Sequence, residues 1–367
     1  MNFDLSDEQK MLGEQALGLL RANCGPDRLR ELILDNAEWD APLWRQLAEM
    51  GFLGAAIPEL YGGLGLGPID LGVISEALGR ANAAVPFFSS IVLAANALLL
   101  AGSEAQKACW LPRLASGETV ATLACGEPHA GPNAGYANGR LGGSIAPVAD
   151  AGVSTIAIVS AHDGNEPVLA LVDLSAAGVD CTRLESFDQL RPHYRITFDD
   201  AVAERLPGAA RDVVPRLFDL AAVQAAFEGL GGAEACMTMA RDHAMERRIF
   251  GRPLAGYQAI KHKLADVCLK VEFARSNAFF AAWAATDAPD ELPAAAAAAR
   301  LSALSAFEMA ARENIQVHGG IGYTFEANCH FYYRRERTLA LALGGRSHWA
   351  DRLIGQIPGR QGSVGRG

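Results

Sequence analysis

The 367-residue chain has no CxxC pair, and its cysteines (Cys24, Cys109, Cys125, Cys181, Cys236, Cys268 and Cys329) are scattered and odd in number. Neither a disulfide framework nor a zinc site is therefore expected. The eight histidines show no HxH or HExxH spacing, so no metal is expected either. Positive charge is in deficit: the formal net charge is -10, whereas a general nucleic-acid surface needs excess Lys and Arg against the phosphates. Long apolar runs are missing too. The longest, residues 91–101 (IVLAANALLLA), is about half of the roughly 20 residues that a membrane span needs, and reads as a buried helix. The opening MNFDLSDEQK lacks the basic n-region and apolar h-region of a secretory signal. A reducing, cytoplasmic setting is the expectation, with small molecules or proteins as partners.

Half of the residues are hydrophobic, 20% are charged and 38 are glycine, which is the composition of an Ala/Leu-rich globular enzyme. The length suggests two or three domains. Up to about residue 114 the signals are helical. Ser6 precedes Asp7, Glu8 and Gln9, an N-cap followed by acids where the helix dipole favours them. Trp44, Leu47, Met50 and Gly51 give helical spacing with a glycine stop. Residues 57–68 (IPELYGGLGLGP) read as a loop, and a helix resumes over 69–80.

Between 115 and 208 the period changes. Short β-branched runs at 155–159, 168–172 and 194–198, bounded by Gly, Pro, Asn and Asp, predict a small domain of antiparallel strands. Long helices return over 216–247, 257–286 and 293–317 in a segment spanning 209–361, and residues 362–367 read as a flexible tail. Six alanines at 294–299 begin a tightly packed helix. The GLGG interruption at 229–232 lies inside a helix, where glycine costs about 1 kcal/mol relative to alanine, and so implies a close helix crossing or a ligand. No internal repeat is present.

The segment IQVHGGIGYT contains three glycines in four positions, Gly319, Gly320 and Gly322. One glycine suffices to cap a helix, so the excess implies either a generous cap or a close approach to the backbone, as phosphates make. His318 just before the turn reads as a helix-end residue serving the dipole and the last carbonyls.

Four motifs, in order, resemble the acyl-CoA dehydrogenase family along nearly the whole chain: LWRQLAEMGFLGAAIPELYGGLGLG at 43–67, GSEAQKACWLPRLASGE at 102–118, RRIFGRPLAGYQAIKHKLAD at 247–266, and QVHGGIGYT. The resemblance implies an α+β fold: an N-terminal helical domain (1–114), a middle β-barrel or sandwich domain (115–208) and a C-terminal four-helix bundle (209–361). It also implies FAD, an acyl-CoA substrate, an electron-transferring flavoprotein as acceptor, and a dimer of dimers, homo- or hetero-oligomeric, with each FAD across two subunits. Carried over by position, Arg247 and Phe250 would face the pyrophosphate and adenine side. Gln258, Gln316, Gly319, Gly320 and Gly322 would line the same half-site. A permanently charged, forked guanidinium suits a diphosphate, and this context favours a ligand over a solvated face for the cluster Arg247, Arg248 and Arg252. The RRER run at 334–337 resembles a family segment near the subunit interface; a salt-bridged surface is the other reading.

The chain departs from the family where it matters for chemistry. Members remove the α-proton of the thioester with a glutamate while the β-hydrogen leaves as hydride. Of the two family positions for that base, one holds Leu343, followed by Gly344 and Gly345, and the other holds Ala221. The nearest acids to the second are Asp219 and Glu228, both weak candidates, since a helical neighbour two positions away points elsewhere. The family's Thr-Glu-Pro-x-Ala-Gly-Ser segment appears as GEPHAGP at 126–132, with His129 near the expected flavin edge or simply a loop residue, and the next flavin strand lacks its tryptophan in SIAPVADAG at 144–152. Three readings follow: a supporting subunit of a hetero-oligomeric dehydrogenase, a self-sufficient homotetramer with a relocated base (Asp219 or Glu228), or a non-catalytic flavin- or acyl-CoA-binding module.

Overall fold

The structure, a computed structural model, describes residues 5–126 and 133–356; the tail at 362–367 and most of the GEPHAGP segment, His129 included, lie outside them. The helices are α1 (Asp7–Asn23), α2 (Pro26–Leu34), α3 (Ala41–Glu49), α4 (Pro68–Ala81), α5 (Asn96–Ala101), α6 (Glu104–Ala115), α7 (Ala210–Glu246), α8 (Gln258–Asp287), α9 (Leu292–His318), α10 (Cys329–Leu341) and α11 (Arg346–Gly355). Between α6 and α7 run β1 (Ala121–Ala124), β2 (Ala134–Ala137), β3 (Arg140–Ala149), β4 (Ile156–Asp163), β5 (Glu166–Asp173), β6 (Val179–Leu184) and β7 (His193–Arg205). The order is helical, β, helical. The chain divides into two compact units, one of Met1–Arg28, Gly72–Ala83 and Ala222–Gly367, the other of Leu29–Leu71 and Ala84–Ala221.

In the second unit, β4 pairs with β2, β2 with β3, β3 with β7, β7 with β5, and β5 again with β4, so five strands close into a barrel. Closure removes the unpaired edges that an open sheet exposes. Strand β1 adds to β4 and β6 to β7. The pairing is not wholly antiparallel: Ala121 of β1 sits opposite Ile156 of β4 in a parallel ladder, and β2 meets β4 in parallel. The chain returns to β4 only after the β2–β3 hairpin, which is the long connection parallel strands require. Alternate residues Tyr194, Ile196 and Phe198 of β7 point into the barrel core with Ile145, Val159 and Val168, as a period of two dictates. The apolar run at 91–101 is buried helix as expected, but over Phe88–Ala95 it takes wider π-helical turns.

The other unit is a bundle of α7, α8, α9 and α10 with α1 and α4 against it. Ser6 caps α1 by a capping box, its Oγ accepting from Gln9 N–H while Gln9 Oε1 accepts from Ser6 N–H. The glycines inside α7 mark a helix crossing. A Cβ at Gly231 would lie 1.9 Å from Glu76 O of α4, and one at Gly79 of α4 would lie 2.0 Å from Glu228 O of α7. Each backbone therefore sits where the other's side chain would be. Gly232 leaves room for the Phe307 ring of α9, 2.4 Å from where its Cβ would stand. Phe227 of α7 and Phe279 of α8 meet edge to face at 5.1 Å. In the alanine run, Ala295, Ala296, Ala297 and Ala299 are buried, letting α9 pack closely.

Candidate functional site

The residues expected to hold the FAD diphosphate and adenosine gather at one end of the bundle. Arg247 follows the last turn of α7, and its N–H donates to His243 O at 2.8 Å. A two-stranded ribbon comes next, β8 (Arg248–Ile249) paired with β9 (Arg252–Pro253). Its connecting residues Phe250 (φ 48°) and Gly251 (φ 80°) are both left-handed, as a type I′ turn demands. A bulky aromatic at positive φ is an outlier of the kind that collects at functional sites. The Phe250 side chain is 97% exposed. The ribbon is fixed from behind: Leu254 N–H donates to Arg247 O at 2.7 Å, Tyr257 Oη–H donates to Ile249 O at 3.0 Å, and the Arg252 guanidinium stacks 3.7 Å over the Tyr257 ring.

Gln258 is the first residue of α8 and exposed, so it stands where free backbone N–H groups favour an anion. Gln316 is exposed near the end of α9. Gly319 takes φ 66° and ψ -140°, which only glycine adopts without strain, and a Cβ on Gly319 or Gly320 would meet nothing within 4 Å. Space for a ligand therefore lies in front of these two. Gly322 differs: its Cβ would come within 2.7 Å of Ile315 O and 3.0 Å of His318 Cβ, so this glycine serves the fold of the turn. A small apolar core of Ala240, Ala244 and Val317, with Leu254, Ala255, Ile260 and Leu264 against it, ties these segments together. His243 of α7 and His318 of α9 stack above it, ring centroids 4.1 Å apart and planes at 25°. His318 Nδ1 lies 2.8 Å from Asn314 O, the helix-end role expected of it. His243 carried no sequence signal.

The expected base positions look different. Ala221 is fully buried in α7, and Asp219 is 2% exposed. Leu343 sits in the turn between α10 and α11 at φ 61°, a left-handed conformation that costs a non-glycine residue roughly 1–2 kcal/mol. Its neighbour's carbonyl, Ala342 O, accepts from Arg300 Nη2 at 2.9 Å, and Leu339 O accepts from the same nitrogen. Arg300 is 1% exposed and belongs to a buried charge cluster. Glu228 Oε1 pairs with Arg335 Nη1 at 3.3 Å, and Arg335 Nη1 also reaches Ala83 O at 3.3 Å. Glu336 is 2% exposed, with Oε2 2.7 Å from Arg337 Nε.

Burial pushes the Glu336 carboxyl up to about 7, with Arg337 opposing and Glu308 adding to the shift. Burial pushes Arg300 down to about 10 against the pull of Glu228 and Glu336. The RRER run is therefore not a surface: Arg335 and Glu336 are core residues, because Glu228 and Arg300 supply the partners that make burial of charge tolerable. Glu228, held in that pair, is committed to structure. Among the described residues no cluster of His, Cys, Asp and Glu is arranged to hold a metal ion, no helix is long and apolar enough to cross a membrane, and Cys24, Cys109, Cys125, Cys181, Cys236, Cys268 and Cys329 are all free thiols.

Family models for the acyl-CoA dehydrogenase N-terminal and C-terminal domains match residues 6–118 and 211–354. Acyl-CoA dehydrogenase FadE27 of Mycobacterium tuberculosis is 31% identical over 357 residues, covering 94% of this chain and 95% of its own. Acyl-CoA dehydrogenase IpdE2 of the same organism is 31% identical over 352 residues, covering 96% and 98%. Among solved structures, the ChsE4-ChsE5 complex from Mycobacterium tuberculosis matches with a TM-score of 0.90 at 29% identity, over 98% of this chain and 100% of the matched one. A variant of the Tcur3481-Tcur3483 steroid ACAD matches with a TM-score of 0.87 at 31% identity, over 95% and 97%. The chain belongs to the acyl-CoA dehydrogenase family of oxidoreductases, whose cofactor is FAD.

Proposed function

We propose that this chain is the supporting subunit of a hetero-oligomeric acyl-CoA dehydrogenase, contributing one half of an FAD site whose other half, with the catalytic base, belongs to a partner subunit. The observation that carries the reading is the division of chemistry within the chain. Arg247, Phe250, Gln258, Gln316 and the open face of Gly319 and Gly320 are presented outward, while Leu343 and Ala221 leave both base positions without a carboxylate. The donor set fits an FAD diphosphate: a forked cation, a helix N-terminus and unobstructed backbone, with an exposed aromatic for the adenine.

Bound FAD supplies the hydride acceptor for α,β-dehydrogenation of an acyl-CoA thioester. This chain's residues bind and orient its anionic side, and the α-proton passes to a carboxylate of the partner. An electron-transferring flavoprotein then takes the electrons. Two of the structural neighbours bear paired names, ChsE4-ChsE5 and Tcur3481-Tcur3483, the latter described as a steroid ACAD. Steroid-bearing acyl-CoA thioesters are accordingly the first substrates to try. The test is co-expression with a dehydrogenase-like chain that carries a glutamate base. Turnover should be lost on changing the partner's glutamate to glutamine and kept in Asp219→Asn of this chain. Loss of turnover in Asp219→Asn, with flavin absorbance retained, would instead support a relocated base.

A further inference from the structure

The ends of α7 and α9 meet through two histidines. His243 lies one helical turn before Arg247 on α7, so the two share a face. His318 immediately precedes Gly319. The stack at 4.1 Å thus joins the residue whose carbonyl accepts from Arg247 N–H to the residue that begins the glycine turn. His318 Nδ1–H donates to Asn314 O at 2.8 Å, which fixes that ring against the last turn of α9. Both rings stand at helix C-termini, where the dipole favours a cation.

We propose that the His243–His318 stack is a clasp that sets Arg247 against the Gly319–Tyr323 turn and takes up a proton when a diphosphate binds there. The inference rests on the half-site reading above and adds a positioning pair and a pH dependence to it. The groups facing His243 are few. Arg247 and Glu246 act on it from its own helix and His318 from α9; the α8 and 254–256 segments present apolar Ile260, Leu264, Leu254 and Ala255, and Lys263 of α8 is engaged by Glu313 of α9. Burial, then His318 and Arg247, hold the His243 imidazole below the usual histidine range, with Glu246 opposing. Without a ligand the ring is neutral at pH 7. A diphosphate brings negative charge beside Arg247 and raises the proton affinity of His243. The sign follows: affinity for a diphosphate rises as pH falls through the pKa of the bound state and levels off below that of the free state.

ADP-ribose is a suitable probe, because it carries the adenosine and diphosphate of FAD and no group of its own that titrates between pH 5.5 and 7.5. Calorimetric titration of the full chain should show binding about 5- to 10-fold tighter at pH 5.5 than at pH 7.5, since a shift of one pKa unit is tenfold. His243→Phe keeps an aromatic stack and loses the proton; it should bind equally at both pH values, with the wild-type affinity at pH 7.5. His243→Ala removes the stack as well and should bind weakly throughout. If His243→Phe retains the wild-type pH dependence while Arg247→Ala abolishes binding, the proton-coupled clasp is wrong and the half-site stands. If Arg247→Ala binds like the wild type, or the wild type does not bind at all, the half-site fails and the clasp with it.

Discussion

The two polar regions of the C-terminal unit treat charge in opposite ways. At the ends of α7 and α9, Arg247 and the aromatic Phe250 stand exposed, on backbone whose unusual angles leave open space before Gly319 and Gly320. Among α7, α9 and α10, Glu228, Arg300, Arg335 and Glu336 are buried, Glu228 against Arg335, Arg300 against carbonyls and Glu336 against Arg337. The first region keeps its groups available for something outside the chain. The second has turned the neighbourhood of Leu343, one of the two expected base positions, into scaffold. Charge in this unit is therefore within reach of a ligand only where it is unburied, while the carboxylates of Glu228 and Glu336 are enclosed by the fold.

The largest effect that separates the regions is on stability. Arg335→Met strands Glu228 in the core and should cost about 3–5 kcal/mol, whereas Glu228→Leu with Arg335→Met should cost far less, because replacing both members of a buried pair avoids an unpaired charge. Chemical denaturation followed by helical circular dichroism measures both. A single variant as stable as the wild type would remove the scaffold role.

A smaller effect depends on pH. Because burial raises Glu336 from an ordinary 4.5 to about 7, the folded chain holds a proton that the unfolded chain releases. That stabilisation is complete below about pH 4.5 and lost as pH rises through 7, about 3 kcal/mol in all. Glu336→Gln should flatten this part of the stability curve between pH 5 and 8; an unchanged slope would show that the carboxyl is hydrated in solution. The smallest effect belongs to the exposed region. Arg247→Ala should leave stability within about 0.5 kcal/mol, while the flavin content of the co-expressed complex falls. A destabilised Arg247→Ala would erase the contrast between the regions.

The long helices were legible because their signals are local. Residues 216–247, 257–286 and 293–317 were expected, and α7, α8 and α9 run Ala210–Glu246, Gln258–Asp287 and Leu292–His318; proline and glycine punctuation marked their ends within a turn or two. The GLGG interruption was legible as a crossing, though only the structure names Glu76 and Phe307 as the reasons. Strands β1, β2, β3 and β6 carried no clear pattern, being short or rich in Gly and Ala, and the parallel pairing of β1 with β4 is a long-range choice that no local run encodes. The burial of Arg335 and Glu336 was hidden for the same reason. Arg335 looks like surface until Glu228, 107 residues earlier, is placed beside it. Arg247 and Phe250 were singled out through their motif, but the two-stranded ribbon that carries Phe250 and the stacking of His243 were not, since the partner of His243 lies on another helix.

We propose above all that this chain holds flavin for a partner and does not itself abstract the substrate proton. It is tested most directly by purifying the chain alone, measuring bound FAD per polypeptide, and following acyl-CoA oxidation with an artificial electron acceptor. The account predicts FAD well below one per chain and no turnover, both restored on adding the glutamate-bearing partner. Stoichiometric FAD with full turnover in the isolated chain would contradict it.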